Sequence, residues 1–251
     1  MESERLFQAV DNAMSGRGVV LGIAGETGSG MSSILGDVID RLVKAGGVGV
    51  VGRCRYASST IPLAPVVSMF ENFLGIAGSD TEEQRRQRVQ SVLSRYDLLD
   101  GARDLVGLLE PVRRADGGID SRVDLGDSHA QERVLGSITR FLEQRFREEP
   151  LLYVVEDLHF ADTLTLQLAM RLWALGRNWP FMLVGTYRPD PRLIDLRRTV
   201  DIEVELPNLT LAESTELVVN ERAGDTVEAE LNAFMWDRSA GNPGYRVELI
   251  R

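Results

Sequence analysis

Apolar residues follow two rhythms along this chain. Val19 to Ala24, Val48 to Val51 and Leu151 to Val155 are short unbroken apolar runs, as expected of strands buried on both faces. A similar run spans residues 181–187, and Asp201 to Leu206 alternates like a strand. Between them the spacing turns helical. Leu6, Phe7, Val10 and Met14 predict a helix over 4–14, leading into the first strand. Ile34, Leu35, Val38, Ile39, Leu42 and Val43 form an i, i+3/i+4 stripe within a helix from Ser33 to Ala45, which Gly46-Gly47 stops. Ile61-Pro62-Leu63-Ala64-Pro65 breaks the chain and starts another helix through Val67, Phe70, Phe73 and Leu74. Thr81-x-x-Gln84 has capping-box spacing and opens a polar, Arg-rich helix over 81–96. Residues 99–127 are mixed: Leu105, Leu108 and Leu109 read as helix, Asp116-Gly117-Gly118 and Asp124-Leu125-Gly126-Asp127 as loop. A long helix follows over 129–148, with Val134, Ile138, Phe141, Leu142 and Phe146 on its inner face. Beyond Pro207 the texture is helical throughout, over 211–223, 226–237 and from Pro243 onward.

Strand, helix, strand is the unit of a parallel sheet. The expected architecture is three-layer α/β with a parallel five-stranded sheet in a domain over 1–206. The beginning of a small helical lid follows over 207–251.

Between the first strand and the helix lies Gly25-Glu26-Thr27-Gly28-Ser29-Gly30-Met31-Ser32-Ser33. The spacing is that of a phosphate-binding loop, G-x-x-x-x-G-K-[ST], with Gly25 and Gly30 framing it and Ser32 in the hydroxyl position. Glycines let Thr27, Gly28, Ser29 and Gly30 turn their amides inward, and the helix that follows adds its positive end. Ser32 can ligate Mg²⁺ through its hydroxyl. Met31 stands where the pattern has lysine. The lost ammonium would bridge the β- and γ-phosphates. Loss of one charge-assisted hydrogen bond costs about 1.5–3 kcal/mol, or about 10- to 150-fold in binding. Hydrolysis suffers more, because charge on the transferred group is stabilised most in the transition state. The loop therefore predicts a nucleotide site with weak binding, little turnover or both; a plain glycine-rich turn is the competing reading. A dinucleotide site fits poorly: Gly28-x-Gly30-x-x-Ser33 lacks the third glycine, and no carboxylate follows the second strand.

Composition narrows the picture further. The formal charge of −10 over 251 residues argues against a nucleic-acid-binding surface. Lys44 is the only lysine and lies about 20 Å along the helix from the loop, so no other lysine replaces the missing one. Cys54 is the only cysteine and His129 and His159 the only histidines, which excludes an intrachain disulfide and a Cys- or His-based metal site. No signal peptide or membrane-spanning run is present, and the expected location is the cytoplasm.

The run Leu151 to Val155 ends in Glu156-Asp157. Beside a phosphate loop, the first carboxylate of such a strand holds Mg²⁺ and the second can position the attacking water. That places Glu156 with Ser32 as metal ligands and Asp157 as the catalytic carboxylate.

Glu156-Asp157-Leu158-His159-Phe160-Ala161-Asp162 resembles the DDLHWAD signature of the bacterial signal-transduction ATPases with numerous domains, found in large ATP-binding transcriptional regulators and multidomain cyclase-like proteins. Other segments agree in order. Glu2-Ser3-Glu4-Arg5-Leu6 resembles the family's opening segment, and Gly52-Arg53-Cys54 with Pro62-Leu63-Ala64-Pro65 its GRC…P-x-x-P stretch. Leu183-Val184-Gly185-Thr186-Tyr187-Arg188-Pro189 is similar to its LVGTYRP strand end, and Arg238-Ser239-Ala240-Gly241-Asn242-Pro243 to its RSGGNP lid motif. Met31, Glu156 and Phe160 depart from the pattern, which has Lys, Asp and Trp. The resemblance implies a P-loop NTPase fold in which Arg188 senses the γ-phosphate and Pro243 approaches the adenine. Asn242 also suits a helix cap with Pro243 in the first turn, and His159 reads as structural. The implied cofactors are ATP or ADP with Mg²⁺. The expected partners are nucleotide, attached or partner signalling domains, and a second copy of the chain, with no membrane and no direct nucleic-acid contact. Relatives continue into further domains, so either a longer parent protein or an unusually short relative is expected. The resulting expectation is a nucleotide-binding switch module with impaired hydrolysis; the alternative is a nucleotide-free assembly scaffold.

Overall fold

The computed structural model describes residues 2–95, 105, 107–109, 111–113, 119–121, 124–148, 151–176, 181–221 and 229–250. Its strands are β1 (Val19–Gly25), β2 (Val48–Arg53), β3 (Pro111–Arg113), β4 (Ile119–Ser121), β5 (Leu151–Glu156), β6 (Phe181–Tyr187) and β7 (Ile202–Leu206). Its α-helices are α1 (Glu2–Met14), α2 (Met31–Lys44), α3 (Ala64–Phe73), α4 (Glu82–Arg95), α5 (Ser128–Glu148), α6 (Thr163–Gly176), α7 (Ile194–Arg197), α8 (Leu211–Glu221), α9 (Ala229–Ser239) and α10 (Pro243–Ile250). Five strands form one all-parallel sheet in the order β2-β5-β6-β1-β7.

β1 and β6, at the centre of the sheet, are buried along their whole length, whereas β2, also expected to be buried on both faces, is the edge strand and is mostly half-buried, because it has a neighbour on one side only. Their side chains alternate between two cores. Val19, Leu21 and Ile23 join Leu152, Val154, Met182 and Val184 beneath Leu6 and Val10 of α1 and Leu35, Val38 and Leu42 of α2. Val20, Ala24, Tyr153, Val155 and Leu183 face the other way, against α3, α5 and α6. Helices on both faces of a parallel sheet make the three-layer α/β, P-loop-like architecture.

The capping box forms as spaced: the Thr81 amide donates to Gln84 Oε1 at 2.7 Å and the Gln84 amide to Thr81 Oγ1 at 3.3 Å. Other elements escape the sequence pattern. Leu105, Leu108 and Leu109 are helical as read, but β3 and β4 pair as an antiparallel hairpin that the mixed pattern of 99–127 did not announce; residues 116–118 lie outside the described residues. α6 has Leu164, Leu168, Ala169, Leu172 and Trp173 all buried and lacks a long polar stripe to mark it as a surface helix. Of the helix expected over 226–237, residues 226–228 lie outside the described residues, and α9 runs from Ala229 to Ser239.

Past Leu206 the chain is helical. Val218 of α8 and Met235 of α9 are buried but belong to neither sheet core, so α8 to α10 form a small unit with its own interior. Among the described residues, no helix is long and apolar enough to cross a membrane.

Candidate functional site

Because the sheet is all parallel, β1, β2, β5 and β6 end on the same edge, and the sequence segments that follow them meet there. They border a cavity of about 470 Å³, within the range of small-molecule sites. Thr27, Gly28, Gly30, Met31, Ser32 and Ser33 line it from the loop; Glu156, Asp157 and Arg188 line it from the ends of β5 and β6; Pro243 lines it from the C-terminal helical unit. Ten of the expected site residues thus share one cavity. Gly25 and Ser29 do not line it. A Cβ at Gly25 would collide with Ser29 Oγ, and Ser29 is buried there with its hydroxyl unpartnered. These two residues shape the loop from beneath.

The loop's conformation follows from its glycines. Gly28 and Gly30 take φ of 85° and 96°, the left-handed region that disfavours a Cβ. Gly30 directly precedes α2, which begins with no side-chain cap and no acidic residue in its first turn. The Ser33 amide donates to the Gly30 carbonyl at 3.0 Å, while the Met31 and Ser32 amides precede the first helical hydrogen bond, so this end is suited to an anion. Met31 packs partly against the α1–α2 core and adds no charge to the cavity.

Glu156 closes β5, opposite Arg53 at the end of β2 in the strand register. Arg53 Nε donates to Glu156 Oε2 at 2.6 Å, and Arg53 Nη2 reaches the same oxygen. The next residue, Asp157, takes a left-handed φ of 58°, and its amide donates to Thr186 Oγ1 at 3.0 Å. Among the described residues there is no cluster of three or more metal-binding side chains. Ser32 and Glu156 nevertheless supply two oxygen donors in one cavity. That set fits Mg²⁺, which usually takes one or two protein ligands and completes its sphere with phosphate and water oxygens.

Arg188 is held at the β6 end by the short 3₁₀ turn Leu158–Phe160 that follows β5. Its Nε lies 3.0 Å from His159 Nε2, its amide 3.3 Å from His159 Nδ1, and its guanidinium 5.4 Å from the Phe160 ring centre. His159 is buried, and its pKa is lowered first by that burial and then by Arg188. The histidine is therefore more than core filler: it braces the arginine.

The C-terminal helical unit sits directly on the loop. Asn242 Nδ2 donates to the Thr27 carbonyl at 2.8 Å, and the Gly244 amide to the Gly28 carbonyl at 2.8 Å. Asn242 Oδ1 also accepts from the Tyr245 amide at 3.0 Å, capping α10 as its spacing suggests. A Cβ on Gly28 would meet Asn242 Oδ1 at 2.5 Å, and one on Gly244 would lie 2.9 Å from Gly28 Cα. Glycine at both positions is what allows this approach.

Sequence reasoning missed Arg53, Thr186, Leu217, Gly244 and Val247, all of which line the cavity. Arg53 and Thr186 lie inside recognised segments, yet their roles depend on which strands are neighbours. Leu217 and Val247 show only generic helical spacing.

The family model described as AAA ATPase domain matches residues 2–184, the larger part of the chain. No curated protein matches the sequence.

Proposed function

The chain belongs to the AAA ATPase domain family, and from that premise we propose that it is a nucleotide-binding switch module of a multidomain signalling or transcriptional regulator, binding ATP or ADP and hydrolysing poorly. The observation that carries this reading is the convergence of uncapped loop amides, Glu156-Asp157, Arg188 and the lid on one cavity.

Each group has a role in it. The amides at the start of α2 donate to phosphate oxygens. Leu217, Pro243 and Val247 offer the base an apolar wall from the lid. Ser32 Oγ and the Glu156 carboxylate would hold Mg²⁺, which when bound supplies positive charge to the β- and γ-phosphates. Arg188 donates to the γ-phosphate, and its planar fork reads phosphate oxygens. Asp157 orients the attacking water through its carboxylate. Met31 removes the charge that would stabilise the transferring group, so turnover is slow. Nucleotide that touches both loop and lid favours the closed lid, and attached or partner signalling domains read the lid's position.

Calorimetric titration of ATP and ADP with Mg²⁺ into the chain, paired with a phosphate-release assay, tests the proposal. Saturable binding with negligible release is the expected outcome. Absence of binding at millimolar nucleotide would overturn it and leave the fold as an assembly scaffold.

A further inference from the structure

With Met31 in the lysine position, the cavity's positive charge comes from elsewhere. Among the described residues, the cationic side chains that line it are Arg53 and Arg188. Lys44 ends α2, while the loop begins it. Arg188 is braced by His159. Arg53 is placed differently. It ends β2 directly opposite Glu156, its side chain is 52% exposed while that of Glu156 is 12% exposed, and its fork is spent on a single carboxylate oxygen. The guanidinium's other donors remain suited to further oxygens.

We infer that Arg53 is a phosphate ligand that stands in for the missing lysine, bridging Glu156 and the terminal phosphate of a bound nucleotide. The inference rests on the nucleotide reading above and deepens it. Glu156 adjoins Asp157, and in the reading above Asp157 positions the water that attacks the terminal phosphate. A cation pinned to Glu156 therefore meets the γ-phosphate before the α- or β-phosphate. Two consequences follow. Arg53 selects ATP over ADP. It also neutralises Glu156 and terminal phosphate together, so ATP binding persists without a divalent cation.

The test is calorimetric titration of ATP and of ADP in EDTA, using the wild-type chain, Arg53→Ala and Arg53→Lys. Wild type is expected to bind ATP more tightly than ADP. Arg53→Ala is expected to lose about 10- to 100-fold for ATP and less than about threefold for ADP, with Arg53→Lys in between. Should Arg53→Ala melt below the assay temperature, Arg53→Lys carries the test through the same ATP-selective loss. If both variants bind both nucleotides as wild type does, or weaken equally for ATP and ADP, the inference is overturned while the nucleotide reading stands. If wild type binds ATP only when Mg²⁺ is supplied, the inference is likewise overturned and the nucleotide reading stands. If wild type binds neither nucleotide with or without Mg²⁺, the nucleotide reading itself has failed.

Discussion

Arg188 presents a donor to each ring nitrogen of His159, its amide to Nδ1 at 3.3 Å and its Nε to Nε2 at 3.0 Å. A neutral imidazole accepts at one nitrogen and a protonated one at neither. The pair therefore requires a neutral ring, and protonating His159 sets two like charges against each other. Asp157 and Asp190 pull the pKa up and Arg192 adds to lowering it, but burial and Arg188 prevail.

The sign of the pH dependence follows. The folded pKa lies below the unfolded value of about 6.5, so in that window the unfolded chain binds more protons. Stability is therefore retained above about pH 6.5 and falls as pH drops from there toward the folded pKa, by at most about 1.4 kcal/mol per pH unit for this one proton. Melting temperatures measured from pH 8 to pH 5 are expected to fall less steeply for His159→Gln than for wild type. Parallel profiles would show that another group controls the acid limb.

Restoring the lysine is the direct test of the loop. Met31→Lys is expected to tighten ATP binding about 10- to 150-fold and to raise phosphate release above that of wild type. The fold should tolerate the change, because Met31 is only partly buried and a lysine stem can lie along the same apolar surface. Calorimetry, a release assay and a melting curve on the two proteins decide it.

The lid's seat depends on Asn242. Asn242→Ala removes the bond to the Thr27 carbonyl and the α10 cap together. Loss of the cap alone costs about 1 kcal/mol. The expected result is a modest fall in melting temperature with a larger rise in the rate of nucleotide release, read by stopped-flow fluorescence. An unchanged release rate would separate the lid from nucleotide retention.

A packing constraint in the sheet can be tested by a double-mutant cycle. A Cβ at Gly22 of β1 would lie 2.5 Å from Tyr187 Oη, which donates to Glu203 at 2.6 Å. Gly22→Ala is expected to cost about 1–3 kcal/mol through overpacking, and Tyr187→Phe about 1 kcal/mol through the lost hydrogen bond. The double variant should cost less than the sum, because removing the hydroxyl makes room for the methyl. Additive costs in urea unfolding would show that the sheet yields in some other way.

What the sequence determined by itself was local. Unbroken apolar runs identified the strands, and those of β1 and β6 lie buried between two helical layers, while the run of β2 proved to be a half-buried edge that only the strand order could reveal. Gly28 and Gly30 at loop spacing predicted backbone that curls back on itself, and the structure finds both at positive φ. Thr81 and Gln84 named their own hydrogen bonds. Tertiary structure decided what depends on neighbours. The strand order puts β2 against β5, and only that register brings Arg53 onto Glu156, 103 residues along the chain. The 3₁₀ turn after β5 turns His159 from a core residue into a brace for Arg188. The same holds for α6, whose exposed face carries Met170 and Leu175 and so shows no polar stripe, and for Gly244, whose need for glycine arises from Gly28 lying 2.9 Å from where its Cβ would be. The physical reason is one of range: hydrophobic period and backbone freedom act within a few residues, whereas charge pairing and close packing act through space between segments that the chain itself keeps far apart.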